Sequence, residues 1–450
     1  MNVAVIGGGI AGLAAAWQLA TGPLAAEITV FEPGRLGGSI STTPFAGFPV
    51  DEGADAFIAR VPDGLRLCGE LGIDAELVAP EAGRALLWVG GRLRALPEGL
   101  MLGVPGRILP VLRSRLLSPT GLLRAGLDVV LPRTDWPEDL SLADLISRRL
   151  GRQVAVRLVD PLLGGIHAGD TALLSAEAVA PQLNTAARRG RSLLLTLRGA
   201  SPPPGPTFLA PRGGMGRLVT RLVEALTEKG VCFEPNAVSA LGGEKGGRVD
   251  LGAAGVFDRV VLAVPAAVAS RLLHGRSPDA ARELAAIPTA SVALVTLSYP
   301  RDGVDVAAGA SGILVPRGEG RLMTACSFGS RKWPHWSSPD HAVLRVSTGR
   351  YRDERALQLT DEDLVERLLG EVASALRTAA VPTEWRVSRW PAAFPQYLVG
   401  HLQRVERLER ILARDVPQVA LAGASYRGSG IPACIASGRR AADLVTAATA

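Results

Sequence analysis

Cysteine is scarce and scattered. Cys68, Cys232, Cys326 and Cys434 are the only four in 450 residues, and no two form a CxxC pair. Neither a disulfide framework nor a thiolate metal site is indicated, and the four thiols are expected to be reduced and buried. Lysine is scarcer still: Lys229, Lys245 and Lys332 are three of 49 basic residues, the rest being Arg. No Lys/Arg block of the kind that marks a nucleic-acid tail occurs, so nucleic acid is not an expected partner. No uncharged run is long enough to span a bilayer. The apolar start from Val3 to Trp17 is broken by Gly7, Gly8, Gly9 and Gly12 and lacks a basic leader and a cleavage site. Neither a signal peptide nor a membrane span is expected there, and a cytoplasmic location follows. His167, His274, His335, His341 and His401 have no metal-ligand spacing with one another or with the cysteines, so no metal is expected. A Gly-x-Ser-x-Gly elbow and a Walker A sequence are also missing.

What remains is a globular composition. Hydrophobic residues make up 47% and charged residues 20%, which provides for large cores and excludes a disordered chain. The length predicts two or three domains. A scattered net charge of +6 would suit an anionic substrate without establishing one.

The opening carries the most information. Val3-Ala4-Val5-Ile6 is a short apolar run, as expected of a buried parallel strand. Gly7-Gly8-Gly9-Ile10-Ala11-Gly12 follows, then a helical stretch from Leu13 to Ala20, a second strand Ile28–Phe31, and Glu32 at its end. This order makes a βαβ dinucleotide unit. Gly7 permits the tight turn, Gly9 lets the backbone approach a pyrophosphate, and Gly12 lets helix and strand pack closely. The amides opening the helix, at Ile10 and Ala11, face the phosphates. Glu32 lies 20 residues beyond Gly12, where a carboxylate can accept ribose hydroxyls. NAD and FAD both use such a unit.

The next residues distinguish the two. Glu32-Pro33-Gly34-Arg35-Leu36-Gly37-Gly38-Ser39 resembles the second fingerprint of the amine-oxidase-like flavoproteins, with one residue fewer between acid and Arg than is usual there. The resemblance implies FAD, with Gly37 and Gly38 passing close to its pyrophosphate and flavin half. Gly53-Ala54-Asp55-Ala56, before Phe57, resembles the segment that runs beside the flavin ring in that family. On their own, Asp51, Glu52 and Asp55 read as a solvated turn. Pro161 to Asp170 resembles a marker of the porphyrinogen-oxidising branch, with His167 where Tyr is usual. Asn236-Ala237-Val238 resembles the adenine-side contact, made by the Val238 backbone. The run from Ala325 to His335, with Leu344-Arg345 and Gly349-Arg350 after it, and the run from Arg389 to Tyr397 continue the likeness; Trp390 would be an aromatic flavin contact. Gly423, then Gly430-Ile431-Pro432 at the head of a closing helix, complete the last fingerprint.

The resemblance therefore implies an α/β fold, amine-oxidase-like: a Rossmann-like FAD-binding domain (1–75, 205–290 and 395–450) and a separate substrate domain. The latter combines an antiparallel sheet (76–92 and 291–394) with a helical layer (93–204), and a stiff proline-rich connector spans 201–206. It implies noncovalent FAD and an O2-linked, six-electron oxidation of coproporphyrinogen III to coproporphyrin III in haem biosynthesis, with H2O2 as the other product. An oxidase of protoporphyrinogen IX is the alternative. An amine oxidase, a carotenoid desaturase and a flavin-binding scaffold that hands porphyrin to a partner such as a chelatase are more distant. No residue shows itself as the catalytic base. Arg60, His167 and Lys332 are candidates to meet the anionic tetrapyrrole. The apolar, Arg-rich stretch Met101–Arg133 reads as an amphipathic helical layer, with peripheral membrane contact as its other reading.

Overall fold

The computed structural model describes residues 1–106, 108–198, 205–243 and 247–447. They divide into two compact units, one of residues 1–79, 206–288 and 402–450, the other of 80–205 and 289–401. Residues 201–204 of the expected connector lie outside the described residues, as does Arg107.

The first unit is built on a five-stranded parallel sheet. Its order is Cys232–Glu234, Glu27–Phe31, Asn2–Ile6, Arg259–Leu262, Val419–Leu421. Parallel strands covered on both faces need side chains that are apolar on both, and Val3, Ala4, Val5, Val260, Val261 and Leu262 are all fully buried. The helix Ile10–Thr21 follows the first strand, as the glycine spacing requires. Residues 235–241, which include the Asn236-Ala237-Val238 segment, are irregular. Pro235 ends the edge strand, and Val238 lays its side chain on the core formed by Phe31, Leu251 and Phe257.

The second unit holds a seven-stranded sheet ordered Glu384–Pro395, Thr289–Pro300, His341–Thr348, Met323–Phe328, Ala310–Leu314, Arg84–Val89, Arg92–Ala95. It is antiparallel except where Ala310–Leu314 runs parallel to Arg84–Val89. The alternating stretch 311–328 is two strands, because Pro316 and a 3-10 turn at Arg317–Glu319 interrupt it. The helix Asp361–Leu376 starts where Thr360 accepts a hydrogen bond from the Asp363 amide (3.1 Å). It buries Leu364, Val365, Leu368 and Val372 against Val295, Leu297 and Val346 of the sheet, each side chain contributing about 1.5–3 kcal/mol.

The stretch 93–197 is less uniformly helical than its sequence suggests. It opens with the strand Arg92–Ala95, paired through a turn whose Gly90 and Gly91 both have positive φ (58° and 75°). Helices then bury Leu142, Leu145, Ile146, Leu158 and Leu183 in a core that also takes in Leu87 of the sheet and Tyr397. One ion pair ties this layer together. Asp128 is fully buried and Arg149 is 3% exposed, with Nε to Oδ1 at 2.5 Å. Arg149 also donates to the carbonyls of Asp128 and Pro132 (both 2.8 Å) and of Arg191. The second Asp128 oxygen accepts from Ser192 Oγ (2.7 Å) and the Leu194 amide (2.9 Å). In Met101–Arg133, Arg124 is likewise engaged, donating to the carbonyls of Ser147, Arg148 and Arg149, while Leu109, Leu112, Leu123 and Val130 remain exposed. Among the described residues no helix is long and apolar enough to cross a membrane.

The buried pair is satisfied at both ends, so removing one partner strands the other. Arg149→Met is expected to destabilise the protein by about 3–5 kcal/mol in denaturant unfolding, and the added change Asp128→Leu to recover most of that loss.

Candidate functional site

The carboxyl end of the parallel sheet is assembled from glycines, and they fall into two groups. Gly7 (φ 106°) donates to Phe31 O at 2.8 Å, and a Cβ on it would lie 2.4 Å from Ala263 O. A Cβ at position 12 would lie 1.9 Å from Gly7 O. These two are demanded by the chain's own packing. Gly9 is not: its backbone is ordinary (φ −70°, ψ 174°), and a Cβ there would meet no protein atom within 4 Å. The space over Gly9 is free for a ligand, at the start of a helix with no side-chain cap and no acidic residue in its first turn. The positive end of the helix is thus left for an anion. Ile10 and Ala11 turn their side chains into the core (8% and 6% exposed), leaving the backbone to face that space.

The second glycine loop is fastened to the first. The Gly37 amide donates to Gly8 O at 2.8 Å, and Gly9 and Gly37 form a parallel bridge. Gly37 (φ 98°) has no room for a side chain beside Val219, and a Cβ on Gly38 (φ 59°) would sit 3.3 Å from Gly9 Cα. Arg35 reaches back to Gly38 O (3.3 Å); it, Pro33 and Ser39 are exposed. Glu32 accepts from the amides of Gly8 and Gly34, both at 2.8 Å, so it organises the loop as well as standing at the strand end. Each of its oxygens keeps further acceptor capacity for a hydroxyl.

The third loop follows the strand Val419–Leu421. Gly423 (φ 120°) donates to Ser437 Oγ (3.0 Å), and like Gly9 it would place a Cβ in open space. Gly430 is exposed ahead of the closing helix Ile431–Ala447, which has no acid in its first turn; Ile431 and Pro432 are buried. That helix lies on the first one so closely that a Cβ at Gly438 would sit 2.1 Å from Ala11 O. Gly53, Ala54, Asp55 and Ala56 form the irregular segment before Phe57, whose buried ring sits with Pro432 around Gly64. Asp51 is not a solvated turn residue. It is fully buried, accepts from Thr42 Oγ1 (2.5 Å) and the Met215 amide (2.8 Å), and so holds the start of the helix Gly216–Glu228. The signal was there in Gly213-Gly214-Met215, but its partner lies 164 residues away.

Val238 is half-buried beside the strand of Phe31, and Arg60 is exposed in the turn after Phe57–Ile58. The other expected residues belong to the second unit. Trp390 packs with Tyr351 and Phe394 around Ala168, Ala290 and Val292. His167, next to Ala168, faces Tyr397 with ring centroids 6.4 Å apart, and its carbonyl accepts from Gln396 (2.9 Å). Burial pushes the His167 pKa down to about 4, so the ring is neutral at pH 7. Lys332 is apart from this group, with its ammonium 5.2 Å from the Trp333 ring. One residue near the group was quoted in the sequence as part of the family likeness but given no site role: Arg350, buried in the wall of a small pocket beside Gly164, Gly165 and Ala168. Among the described residues no three His, Cys, Asp or Glu side chains converge as metal ligands.

Residues 10–446 match the family described as flavin containing amine oxidoreductase. The chain is 31% identical to the coproporphyrinogen III oxidase of Bacillus subtilis, over 98% of this chain and 97% of that one. It is 36% identical to the coproporphyrinogen III oxidase of Mycobacterium leprae, over 99% and 98%. Among solved structures, an Exiguobacterium sp. 255-15 protein provisionally named a protoporphyrinogen oxidase superposes with a TM-score of 0.90 at 29% identity, covering 99% of both chains. The three glycine loops fit a flavin nucleotide: a Cβ at Gly9 or Gly423 would meet no protein atom, and neither the first helix nor the closing helix has an acidic residue in its first turn.

Two outcomes follow from this geometry. Gly9→Val is expected to fold with a loss of about 1 kcal/mol or less but to purify with little flavin by its visible spectrum, whereas Gly12→Val is expected to cost about 4 kcal/mol or more. For His167, the folded pKa of about 4 lies below the ordinary 6.5, so the unfolded chain binds the proton first. Its contribution to stability is present above pH 6.5 and lost as the pH falls from about 6.5 to about 4. His167→Gln should flatten that part of the urea-midpoint profile.

Proposed function

The chain belongs to the flavin-containing amine oxidoreductase family, and from that premise we propose that it is an FAD-dependent oxidase of coproporphyrinogen III in haem biosynthesis. The observation that carries this reading is a nucleotide cradle of three glycine loops in a chain that aligns end to end with coproporphyrinogen III oxidases. Bound FAD supplies the redox chemistry: three two-electron rounds, each completed by O2 with release of H2O2, convert the porphyrinogen to coproporphyrin III.

The chain's own residues bind and orient. The uncapped helix start at Ile10 and Ala11 would hold the pyrophosphate, with Gly9, Gly37 and Gly38 allowing close backbone approach. Glu32, which keeps the Gly8 and Gly34 amides, would also take ribose hydroxyls, and the segment 53–56 and Gly430–Pro432 would hold the flavin half. Burial pushes the Cys434 thiol up to about 12, so it stays protonated and offers no nucleophile for covalent attachment. His167, neutral at pH 7, meets substrate by packing or hydrogen bonding and not by charge.

Within the second unit most of the sheet and most of the helical layer fall into two core clusters, joined where Leu87 of the sheet enters the helical one, which supports roles as a substrate sheet (80–92 and 291–394) and a covering layer (93–204). The four free cysteines support a cytoplasmic setting. Any membrane contact is peripheral, through the exposed Leu109, Leu112, Leu123 and Val130; protein that resisted both high-salt and carbonate washing of membranes would contradict this.

Protoporphyrinogen IX remains the competing substrate. It carries two propionates where coproporphyrinogen III carries four, and a bidentate Arg–carboxylate contact is worth roughly 1.5–3 kcal/mol. The expected outcome is a kcat/KM for coproporphyrinogen III at least about tenfold above that for protoporphyrinogen IX, with flavin released on denaturation. Equal or reversed preference would assign the protoporphyrinogen reaction, and no turnover of either would leave a flavin-binding scaffold.

A further inference from the structure

The second unit contains a cavity of about 80 Å³, walled by Asp160, Gly165, Gly169, Ser347, Arg350 and Phe394. One wall is the helical stretch Ala155–Gly164, wound as a π-helix with Pro161 inside it. The turn after it holds Ala168 in the left-handed region (φ 45°) although Ala168 is not glycine and is only 6% exposed. Both features cost local stability and concentrate at functional sites. The opposite wall is the end of the strand His341–Thr348. There Gly349 (φ 85°) has no room for a Cβ, which would lie 2.7 Å from Ser291 O. Arg350 follows it.

Arg350 is 9% exposed, and its guanidinium makes no hydrogen bond or ion pair among the described residues. Its Nε is shut off from water, and nothing in the chain replaces the hydration lost there. Its position is nevertheless fixed. The Tyr351 amide donates to Ala168 O (2.7 Å), and Arg317 Nη2 donates to Gly169 O (3.1 Å) and Tyr351 O (3.2 Å). The strand end is thereby tied to the π-helical turn. Charge nearby is unbalanced. Arg350, Arg317 and Arg355 stand against Asp160 and Asp353, and the two Asp353 oxygens are taken by Arg355 (2.7 and 2.9 Å). Asp160, which accepts from Thr171 Oγ1 (2.9 Å), does not pair with Arg350. One positive charge is left over.

These observations specify a ligand. It must be anionic, to meet a planar guanidinium with two acceptors, and singly charged, because Asp160 shares the wall. It must be small: the cavity holds a carboxylate on a short alkyl arm and not a ring system. We propose that Arg350 receives one propionate carboxylate of the tetrapyrrole, with the arm filling the cavity and the macrocycle outside it. Resting on the porphyrinogen reading, this names the residue that anchors the substrate, a positioning contact that does not touch the reacting carbons.

The test uses the full-length, FAD-loaded protein. Coproporphyrin III binding is titrated by quenching of tryptophan fluorescence, alongside steady-state oxidation of coproporphyrinogen III. In Arg350→Gln, Kd and KM are expected to rise roughly 10- to 150-fold with kcat within about threefold of wild type. Arg350→Lys, which keeps the charge but not the fork, should fall between. Wild-type protein should bind the tetramethyl ester of coproporphyrin III, presented in mild detergent, at least about tenfold more weakly than the free acid under the same conditions; this comparison needs no variant to fold. Turnover by the wild type with unchanged Kd and KM in Arg350→Gln, or equal binding of ester and acid, overturns the anchor and leaves the oxidase reading standing. A wild type that neither oxidises coproporphyrinogen III nor binds coproporphyrin III overturns both.

Discussion

The contact on which the cofactor unit depends is the approach of the first helix to the first strand, where the Gly7 carbonyl leaves no room for a side chain at position 12. The helix is then closed in from its other side, because Gly438 of the closing helix sits just as tightly on Ala11 O. Held between sheet and helix, its amino end cannot shift. The amides at Ile10 and Ala11, the Gly9–Gly37 bridge and the Glu32 carboxylate all take their positions from that seat. Side chains are excluded at Gly7, Gly12 and Gly438 by protein atoms and at Gly423 by its own backbone (φ 120°), but at Gly9 by neither. That contrast separates glycines that build the fold from one that leaves space for a ligand.

The second unit meets a different physical demand. It has to hold polar and charged groups away from water without losing order. In the helical layer every exposed valence of the Asp128–Arg149 pair is matched, by the hydroxyls of Ser192 and Thr134, the Leu194 amide and three carbonyls. A network satisfied in this way is a structural device. Arg350 is also buried, at 9% against 3% for Arg149, and its Nε has no partner, while His167 nearby avoids the problem by staying neutral. The same unit therefore contains a buried arginine that organises the chain and another whose hydrogen-bonding capacity the chain leaves unused.

Much of the fold was legible because its signals are local. Strand, glycine turn, helix, strand and acid follow one another within Asn2 to Glu32, and each is specified by its neighbours in sequence. Where a local pattern was ambiguous, the tertiary context decided. Residues 235–241 form no strand, and the side chain of Val238 packs on the core. The run 92–95 became a strand because Gly90-Gly91 turns it back onto Arg84–Val89.

The sequence by itself determined the nucleotide-binding unit, the glycine loops around it and the family they mark, because those depend on spacing within a few turns of chain. Only the tertiary structure decided which polar residues are buried and with what partners. Asp51 reads as a solvated turn until Met215 and Gly216 fold over the hairpin it ends. Arg350 reads as part of a family marker with no role of its own until the π-helical turn at Ala155–Gly164 covers it. Burial is a property of what packs on a residue, and for these two that comes from segments well over a hundred positions distant.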